Sequence, residues 1–385
     1  MQVNEPIAVY VERILADAFA AGASDIHFEP FQEFYLVRYR VDGVLYDADR
    51  PPLDIKERLA ARLKVMAELD IAEKRLPQDG RMSLSMPSGQ SRDLRVSTLP
   101  TLSGEKVALR ILAPALFLPL AQLGLEPAQL ELLRQVLSRP HGMVLASGPT
   151  GCGKSSTLYA CLAHLNHGAL NLCTVEDPVE IVLPGVNQVA VNPKAGLEFS
   201  LALRALLRQD PDVIMVGEMR DALTADIAVK AAQTGHLVLS SLHCRSARAA
   251  WARLLNLGVA AANLTHSLSL IVAQRLLRRL CPLCKRPCDI ASACLYDFGW
   301  QGDLPAQLNC YAAEGCAACH GSGYCGRLGL FELLALDERH GPLSVDLDRY
   351  PPDSEGAGLR RAGLLKAMRG ETTLAEVMAE TPECR

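Results

Sequence analysis

The chain has 385 residues, enough at about 100–200 residues per domain for two or three domains with buried cores. Apolar residues make up 49 % and charged residues 21 %, which excludes a disordered or low-complexity chain. The formal charge of −4, from 39 basic and 43 acidic residues, supplies no field to draw the protein onto a polyanion, so no nucleic-acid partner is expected.

From Pro6 to about Ala20, apolar residues recur at helical spacing (Ile7, Tyr10, Val11, Ile14, Leu15, Ala18) and Gly22 supplies a stop. Two β-rich runs follow, Phe34 to Val41 and Val44 to Tyr46, joined by Asp42-Gly43, the signature of a tight hairpin. Residues 53–69 return to helical period, and β-like runs at 81–86, 92–98 and 105–112 are separated by Pro/Gly turns. Residues 1–112 thus predict a small α+β domain. Residues 113–126, rich in Pro and Leu, have neither period and read as a linker. Beyond them, from 127 to 385, helix 127–138 and helix 155–165 alternate with apolar strands at 143–147, 172–175, 213–216 and 237–240. Continuous apolar strands between helices predict an α/β domain with a parallel sheet covered on both faces.

The longest apolar stretch, Ile111 to Ala121, has 11 residues and contains Pro114 and Pro119, too short and too broken to cross a bilayer, so no integral membrane segment is expected. The N-terminus lacks a basic segment followed by an apolar core, and a cytoplasmic location is the expectation.

Gly148-Pro149-Thr150-Gly151-Cys152-Gly153-Lys154-Ser155, followed by Ser156, matches G-x-x-x-x-G-K-[ST] and lies between an apolar strand and a helix. Glycines let backbone N–H groups turn onto phosphate oxygens, the helix N-terminus adds its dipole, Lys154 reaches the β/γ-phosphates and Ser155 ligates Mg²⁺. A nucleoside triphosphate and Mg²⁺ are therefore the expected ligands.

Two acidic segments follow. Glu176-Asp177 ends a β-like run before Pro178, and the strand Val213 to Val216 leads into Gly217-Glu218. Glu218 is the leading general base. Gly217 stands where many phosphate-loop enzymes place a metal-binding Asp, so Glu176 and Asp177 are candidates for that carboxylate; the other reading makes them a turn cap before the proline. His236 and His243 flank an apolar strand. They are either structural, or one of them senses the γ-phosphate or links subunits. Arginines that could neutralise transition-state charge are Arg204 and Arg208, i and i+4 on a helix, and Arg81 and Arg95 on strands of the first domain; an i,i+4 basic pair also fits a solvated helix face.

Eight of the 13 cysteines fall between Cys281 and Cys325. Cys281-Pro-Leu-Cys284 and Cys316-Ala-Ala-Cys319 predict a structural tetrathiolate Zn²⁺ site, whose binding energy folds a lobe with little core, residues 281–325. Cys288, Cys294, Cys310 and Cys325 could each substitute as a ligand. A redox C-x-x-C lacks its βαβ setting, and a nucleic-acid ribbon using Arg275, Arg278, Arg279, Lys285 and Arg286 lacks interleaved aromatics.

Together these residues resemble the secretion ATPases of type II secretion and type IV pilus assembly. The resemblance rests on Gly22-Ala-Ser-Asp-Ile-His27-Phe-Glu-Pro30, Val37-Arg-Tyr-Arg-Val-Asp-Gly-Val44, Leu76-Pro-Gln-Asp-Gly-Arg81, Asp93-Leu-Arg-Val-Ser-Thr98, the phosphate loop, Thr174-Val-Glu-Asp-Pro178, Leu206 to Asp212 with Gly217 to Asp221, and Thr234-Gly-His236 to His243. It runs from about residue 4 to Leu334, with Gly370 to Val377 similar to the family's tail.

The resemblance implies ATP as the nucleotide, a RecA-like ATPase lobe and a hexamer, on the cytoplasmic side and peripherally associated with the inner membrane through a platform or recruitment protein. Hydrolysis would drive the movement that adds pilin-like subunits to a fibre. It implies Glu176 and Asp177 in the Asp box, Glu218 as the Walker B glutamate, His236 and His243 in the His box, and phosphate-contacting roles for Arg81, Arg95, Arg204 and Arg208. The cysteine quartet favours extension over retraction. A catalytically weak, nucleotide-gated scaffold subunit is the alternative. Relatives carry a further N-terminal domain that docks on a membrane partner, and the resemblance here begins at the second domain. Residues 336–360, polar and irregular, are expected to be partly disordered.

Overall fold

The computed structural model describes residues 5–85, 91–112, 118–290, 292–298, 300, 304, 308–336 and 357–381. Residues 113–117 of the expected linker and 337–356 of the segment expected to be disordered lie outside them. The chain divides into two compact units, Met1–Leu116 and Phe117–Arg385.

In the first unit the order is α1 (Ile7–Ala20), β1 (Asp25–Pro30), β2 (Tyr35–Val41), β3 (Val44–Asp49), α2 (Lys56–Met66), β4 (Gln78–Ser85), β5 (Ser91–Thr101) and β6 (Gly104–Leu112). The strands form an antiparallel sheet in the order β3-β2-β1-β6-β5-β4. Asp42 and Gly43 both have positive φ, 47° and 88°, as the predicted two-residue turn requires. Tyr10, Ile14 and Leu15 of α1 and Leu59 and Leu63 of α2 pack on Ile26, Phe28, Val37, Leu94 and Leu109 of the sheet. The alternate residues make a cross-strand row, Arg81–Arg95–Arg110–Asp25–Arg40. Directly opposed residues share a face, and Asp25 relieves the row's charge, accepting from Arg110 at 2.8 Å. The helix expected over 53–69 begins as a 3-10 turn at Leu53–Ile55. Strand β1 is an addition to the expected elements.

The second unit contains α3 (Pro127–Leu137), β7 (Gly142–Ser147), α4 (Lys154–Leu165), β8 (Leu172–Glu176), β9 (Asn187–Ala190), α5 (Phe199–Leu206), β10 (Val213–Val216), α6 (Ala222–Gln233), β11 (Leu237–Leu242), α7 (Ala247–Asn256), α8 (Ala261–Ser267), β12 (Leu268–Leu280), β13 (Arg286–Pro287), α9 (Ser292–Asp297), β14 (Tyr311–Ala312), β15 (Tyr324–Ala335), α10 (Ala357–Met368) and α11 (Leu374–Glu380). Seven strands form one sheet, β15-β12-β7-β11-β10-β8-β9. All neighbours are parallel except β15, which runs antiparallel to β12.

Every residue of β7, β8, β10 and β11 is buried. Successive side chains of β7 enter different cores: Met143 and Leu145 join the one made with α5, α6 and α7, whereas Val144 and Ala146 join the one made with α3 and α4. This is the two-faced cover that continuous apolar strands demand. The long pair β12 and β15, absent from the expected elements, brackets the cysteine-rich lobe, in which β13 pairs with β14.

Candidate active site

In a parallel sheet the carboxyl ends of the strands share one edge, where ligands bind in the crevice between loops. Here that edge collects the phosphate loop after β7, Glu176-Asp177 at the end of β8, Gly217-Glu218 after β10 and His243 after β11.

The loop from Gly148 to Gly153 turns on Gly151 (φ 79°) and Gly153 (φ 90°), the latter starting α4 in the left-handed region. A Cβ at Gly148 would lie 2.4 Å from the Cys152 sulfur and 2.7 Å from the Gln274 carbonyl, so only glycine lets the loop close here. Lys154 is 8 % exposed. Its Nζ donates to the carbonyls of Gly148 and Pro149, each at 2.9 Å, and burial lowers its pKa. A buried ammonium whose hydrogen-bond partners are backbone carbonyls, beneath an exposed loop tip, is suited to exchange them for polyphosphate oxygens. Ser155 is half-buried on the first turn of α4, while Pro149, Thr150 and Ser156 are exposed. Gln274 of β12 braces the cradle from below: its Nε2 donates to the Cys152 carbonyl at 2.8 Å, and its Oε1 accepts from Thr157 at 2.9 Å.

Glu218 is held from both sides. Its Oε2 lies 3.1 Å from His243 Nε2, and its Oε1 pairs with the Arg220 guanidinium. Arg220 also reaches Asp177 at 3.3 Å. The expected acidic pair is split: Asp177 faces this cluster, whereas Glu176 is 4 % exposed and accepts from Tyr159 Oη, from Thr174 Oγ1 at 2.5 Å and from Gln188 Nε2 at 3.1 Å. With its oxygens occupied inside the fold, Glu176 is a structural partner of α4; of the two carboxylates expected to be able to supply a metal ligand, Asp177 is the one on the Glu218 side. Tyr159 Oη also accepts from the N–H groups of Glu180 and Ile181 at 3.2 and 3.3 Å. The α4 helix is thereby tied to the loop that carries Asp177.

His236 is placed apart from His243. It sits before β11, where its Nδ1 lies 3.0 Å from the Ala231 carbonyl, and the six-residue strand between them puts the two backbone positions roughly 20 Å apart. Of the expected readings of His236, that placement does not support sensing of the γ-phosphate at this chain's own sheet edge and leaves a structural or subunit-linking role. Arg208 lies beyond α5, which ends at Leu206, because Asp210 precedes Pro211 and takes φ 52°. The expected helical i,i+4 pair is thus broken, although Arg208 still donates to the Arg204 carbonyl at 2.9 Å. Both arginines are exposed, and among the described residues neither pairs with a carboxylate. Arg81 and Arg95 belong to the first unit, opposite one another on β4 and β5.

Arg220, Gln274 and Tyr159 were not among the expected site residues. The first stands two positions after Glu218, and the second interrupts the apolar run of β12; the third carries no local signal.

In the lobe, the Sγ atoms of Cys281, Cys284, Cys316 and Cys319 all lie within 4.8 Å of one another, and among the described residues they are the metal-ligand cluster. Separations of 3.9 Å (Cys281–Cys316), 3.7 Å (Cys284–Cys319) and 3.7 Å (Cys316–Cys319) match the edges, about 3.8 Å, of a tetrahedron with Zn–S bonds of about 2.3 Å. Desolvation opposes ionisation of Cys319, yet the N–H groups of Cys316 and Gly323, at 3.1 and 3.2 Å from its sulfur, outweigh it and lower the thiol to about 6. The donor set fits Zn²⁺, and Cys288, Cys294, Cys310 and Cys325 stand outside it.

A family model described as "Type II/IV secretion system protein" matches residues 2–379. The type IV pilus assembly ATPase PilB of Acinetobacter baylyi is 49 % identical over 387 residues, covering 98 % of this chain and 67 % of that protein. The type II secretion system protein E of Dickeya dadantii is 46 % identical over 387 residues, covering 99 % and 76 %. Among solved structures, the pilus retraction motor PilT with bound ADP aligns with a TM-score of 0.61 at 25 % identity, over 95 % of both chains. The ATPase DotB of Legionella pneumophila aligns with a TM-score of 0.69 at 19 % identity, over 98 % and 97 % of the two chains, a likeness of fold. No described helix is long and apolar enough to cross a membrane. The chain belongs to the type II/IV secretion system protein family.

Proposed function

We propose that this chain is a Mg²⁺-dependent ATP-hydrolysing motor that powers assembly of pilus or pseudopilus fibres. The observation that carries it is the Glu218 carboxylate, gripped by His243 and Arg220 on the same sheet edge as the Lys154 loop. A glutamate so oriented takes a proton from the water that attacks the γ-phosphorus. Lys154 exchanges its carbonyl partners for phosphate oxygens, and Ser155 and Asp177 are the groups that would hold Mg²⁺, whose charge offsets that of the triphosphate. Arg220 bridges Glu218 and Asp177, so a metal ion held by Asp177 would compete with it for that carboxylate.

The RecA-like reading of the second unit is supported by its strand order, with β11 lying between the phosphate-loop strand and the Glu218 strand. Relatives named as pilus assembly ATPases, at 46–49 % identity, support extension of a fibre. On the same family grounds we infer a homo-hexamer recruited peripherally to the inner membrane from the cytoplasmic side, with Arg81, Arg95, Arg204 and Arg208 approaching phosphates as subunits close. We also infer that the first unit acts as the moving lobe and that Zn²⁺ is structural.

Steady-state turnover and nucleotide binding of the zinc-loaded protein and of Glu218→Gln test this reading. Loss of turnover with ATP binding retained is expected. Undiminished turnover in the variant would overturn the catalytic assignment, and a wild-type protein that assembles but does not turn over would make it a scaffold.

A further inference from the structure

Cys288 and Cys310 are free thiols outside the metal cluster. The register of β13 and β14, Arg286 opposite Ala312 and Pro287 opposite Tyr311, continues by one residue to place Cys288 opposite Cys310. The Cys288 N–H donates to the Cys310 carbonyl at 3.0 Å, which confirms the continuation. Cα atoms of a hydrogen-bonded antiparallel pair stand about 5.5 Å apart, inside the range of roughly 4.4–6.8 Å that a disulfide spans. Their side chains leave the same face. Cys310 is 5 % exposed; Cys288 is half-buried and packs on the same core. Burial and then the neighbouring Cys288 sulfur push the Cys310 thiol up, so Cys288 is the side from which an oxidant enters.

We propose that Cys288 and Cys310 form a reversible disulfide that fastens the two segments also held by the zinc cluster. Cys288 lies four residues beyond Cys284, and Cys310 lies six residues before Cys316, so the bond would run parallel to the metal and keep the lobe closed when the metal leaves. The oxidant is a peroxide. The Cys288 thiol ionises, its thiolate attacks one peroxide oxygen, the O–O bond breaks, and the departing hydroxide takes up the proton the thiol released and leaves as water, giving a sulfenic acid. The Cys310 sulfur then attacks the Cys288 sulfur, the S–O bond breaks and a second water departs. Two thiols and hydrogen peroxide thus give one disulfide and two waters, with two electrons passing from sulfur to oxygen. A thiol reductant reverses the bond.

The full-length, zinc-loaded protein is exposed to hydrogen peroxide, alkylated, digested without reduction and mapped by mass spectrometry, with bound zinc assayed in parallel. The expected product is a Cys288–Cys310 cross-linked peptide formed while zinc is still bound. After chelation, the oxidised lobe should be digested by protease roughly tenfold or more slowly than the reduced lobe, and dithiothreitol should abolish the difference. Cys288→Ser and Cys310→Ser should each lose the linked peptide and the protection while retaining zinc; Cys288→Ala, at the more accessible position, serves if the buried serine prevents folding. Linkage of either cysteine to a different one, bridging only after zinc has gone, both thiols remaining alkylatable, or equal digestion of bridged and reduced protein would each overturn the proposal.

Discussion

The carboxyl edge of the seven-stranded sheet and the cysteine lobe beyond β12 are held in place by different forces. At the sheet edge, Lys154, Asp177, Glu218 and His243 are carried by strands whose every residue is buried, so the geometry is inherited from hydrophobic packing and from braces such as Gln274 and Tyr159. In the lobe, β13 and β14 have two residues each, a few apolar side chains such as Leu295 and Trp300 reach the main core, and four clustered sulfurs supply the cross-link that regular structure does not. A site on packed strands should lose activity without losing its fold; one built on sulfurs should lose its fold once the metal goes.

The sharpest way to break that contrast is to remove the metal. Structural zinc in small domains contributes on the order of 10 kcal/mol, so chelation of the reduced protein, or Cys319→Ser, should open residues 281–325 to proteolysis while circular dichroism of the sheet persists. Protection of the reduced, metal-free lobe would contradict it. At the sheet edge, Glu218→Gln should lower kcat by roughly 10²–10⁴-fold with an unchanged melting temperature.

A third test sharpens the packing side of the comparison. Glu332, on β15 opposite Ala273, is 6 % exposed, and burial raises its carboxyl to about 7 against a partial lowering by Arg275. Between about pH 4.5 and 7 the folded protein therefore keeps a proton that the unfolded chain has released, and stability falls as pH rises through that window. Urea denaturation at pH 5 and pH 8 should show that fall in the wild type and lose it in Glu332→Gln, which gains up to about 3 kcal/mol at pH 8. A parallel pH dependence in the two proteins would show that Glu332 is not the group.

The smallest effect is expected from Tyr159→Phe. It leaves Glu176 and two backbone N–H groups short of a partner, at about 1–3 kcal/mol. Because the same hydroxyl positions the loop that carries Asp177, the variant should need more Mg²⁺ for half-maximal turnover, measured by metal titration at saturating ATP. An unaltered metal requirement would limit Tyr159 to stability.

The phosphate loop, Glu218 and the cysteine quartet were legible because each needs particular residue types at close spacing, which a local string records. Strand β1 was also readable, since Asp25-Ile-His-Phe alternates polar and apolar residues, but Glu29 and Pro30 blur the pattern. Strands β12 and β15 pair across the whole lobe, a long-range contact that no local window contains. The two histidines show what spacing alone withholds: His236 and His243 flank the same strand, and only its extended rise tells that they stand at opposite edges of the sheet. Glu176 and Asp177 are neighbours in sequence, yet one turns inward to Tyr159 and the other outward to Arg220.

Equilibrium titration with a fluorescent ATP analogue, in wild type and Lys154→Ala, tests the central claim most directly. Saturable Mg²⁺-dependent binding in the wild type and its loss in the variant are predicted. Equal affinity in both proteins, or none in a zinc-loaded and fully assembled wild type, would contradict the assignment of this edge as a nucleotide site.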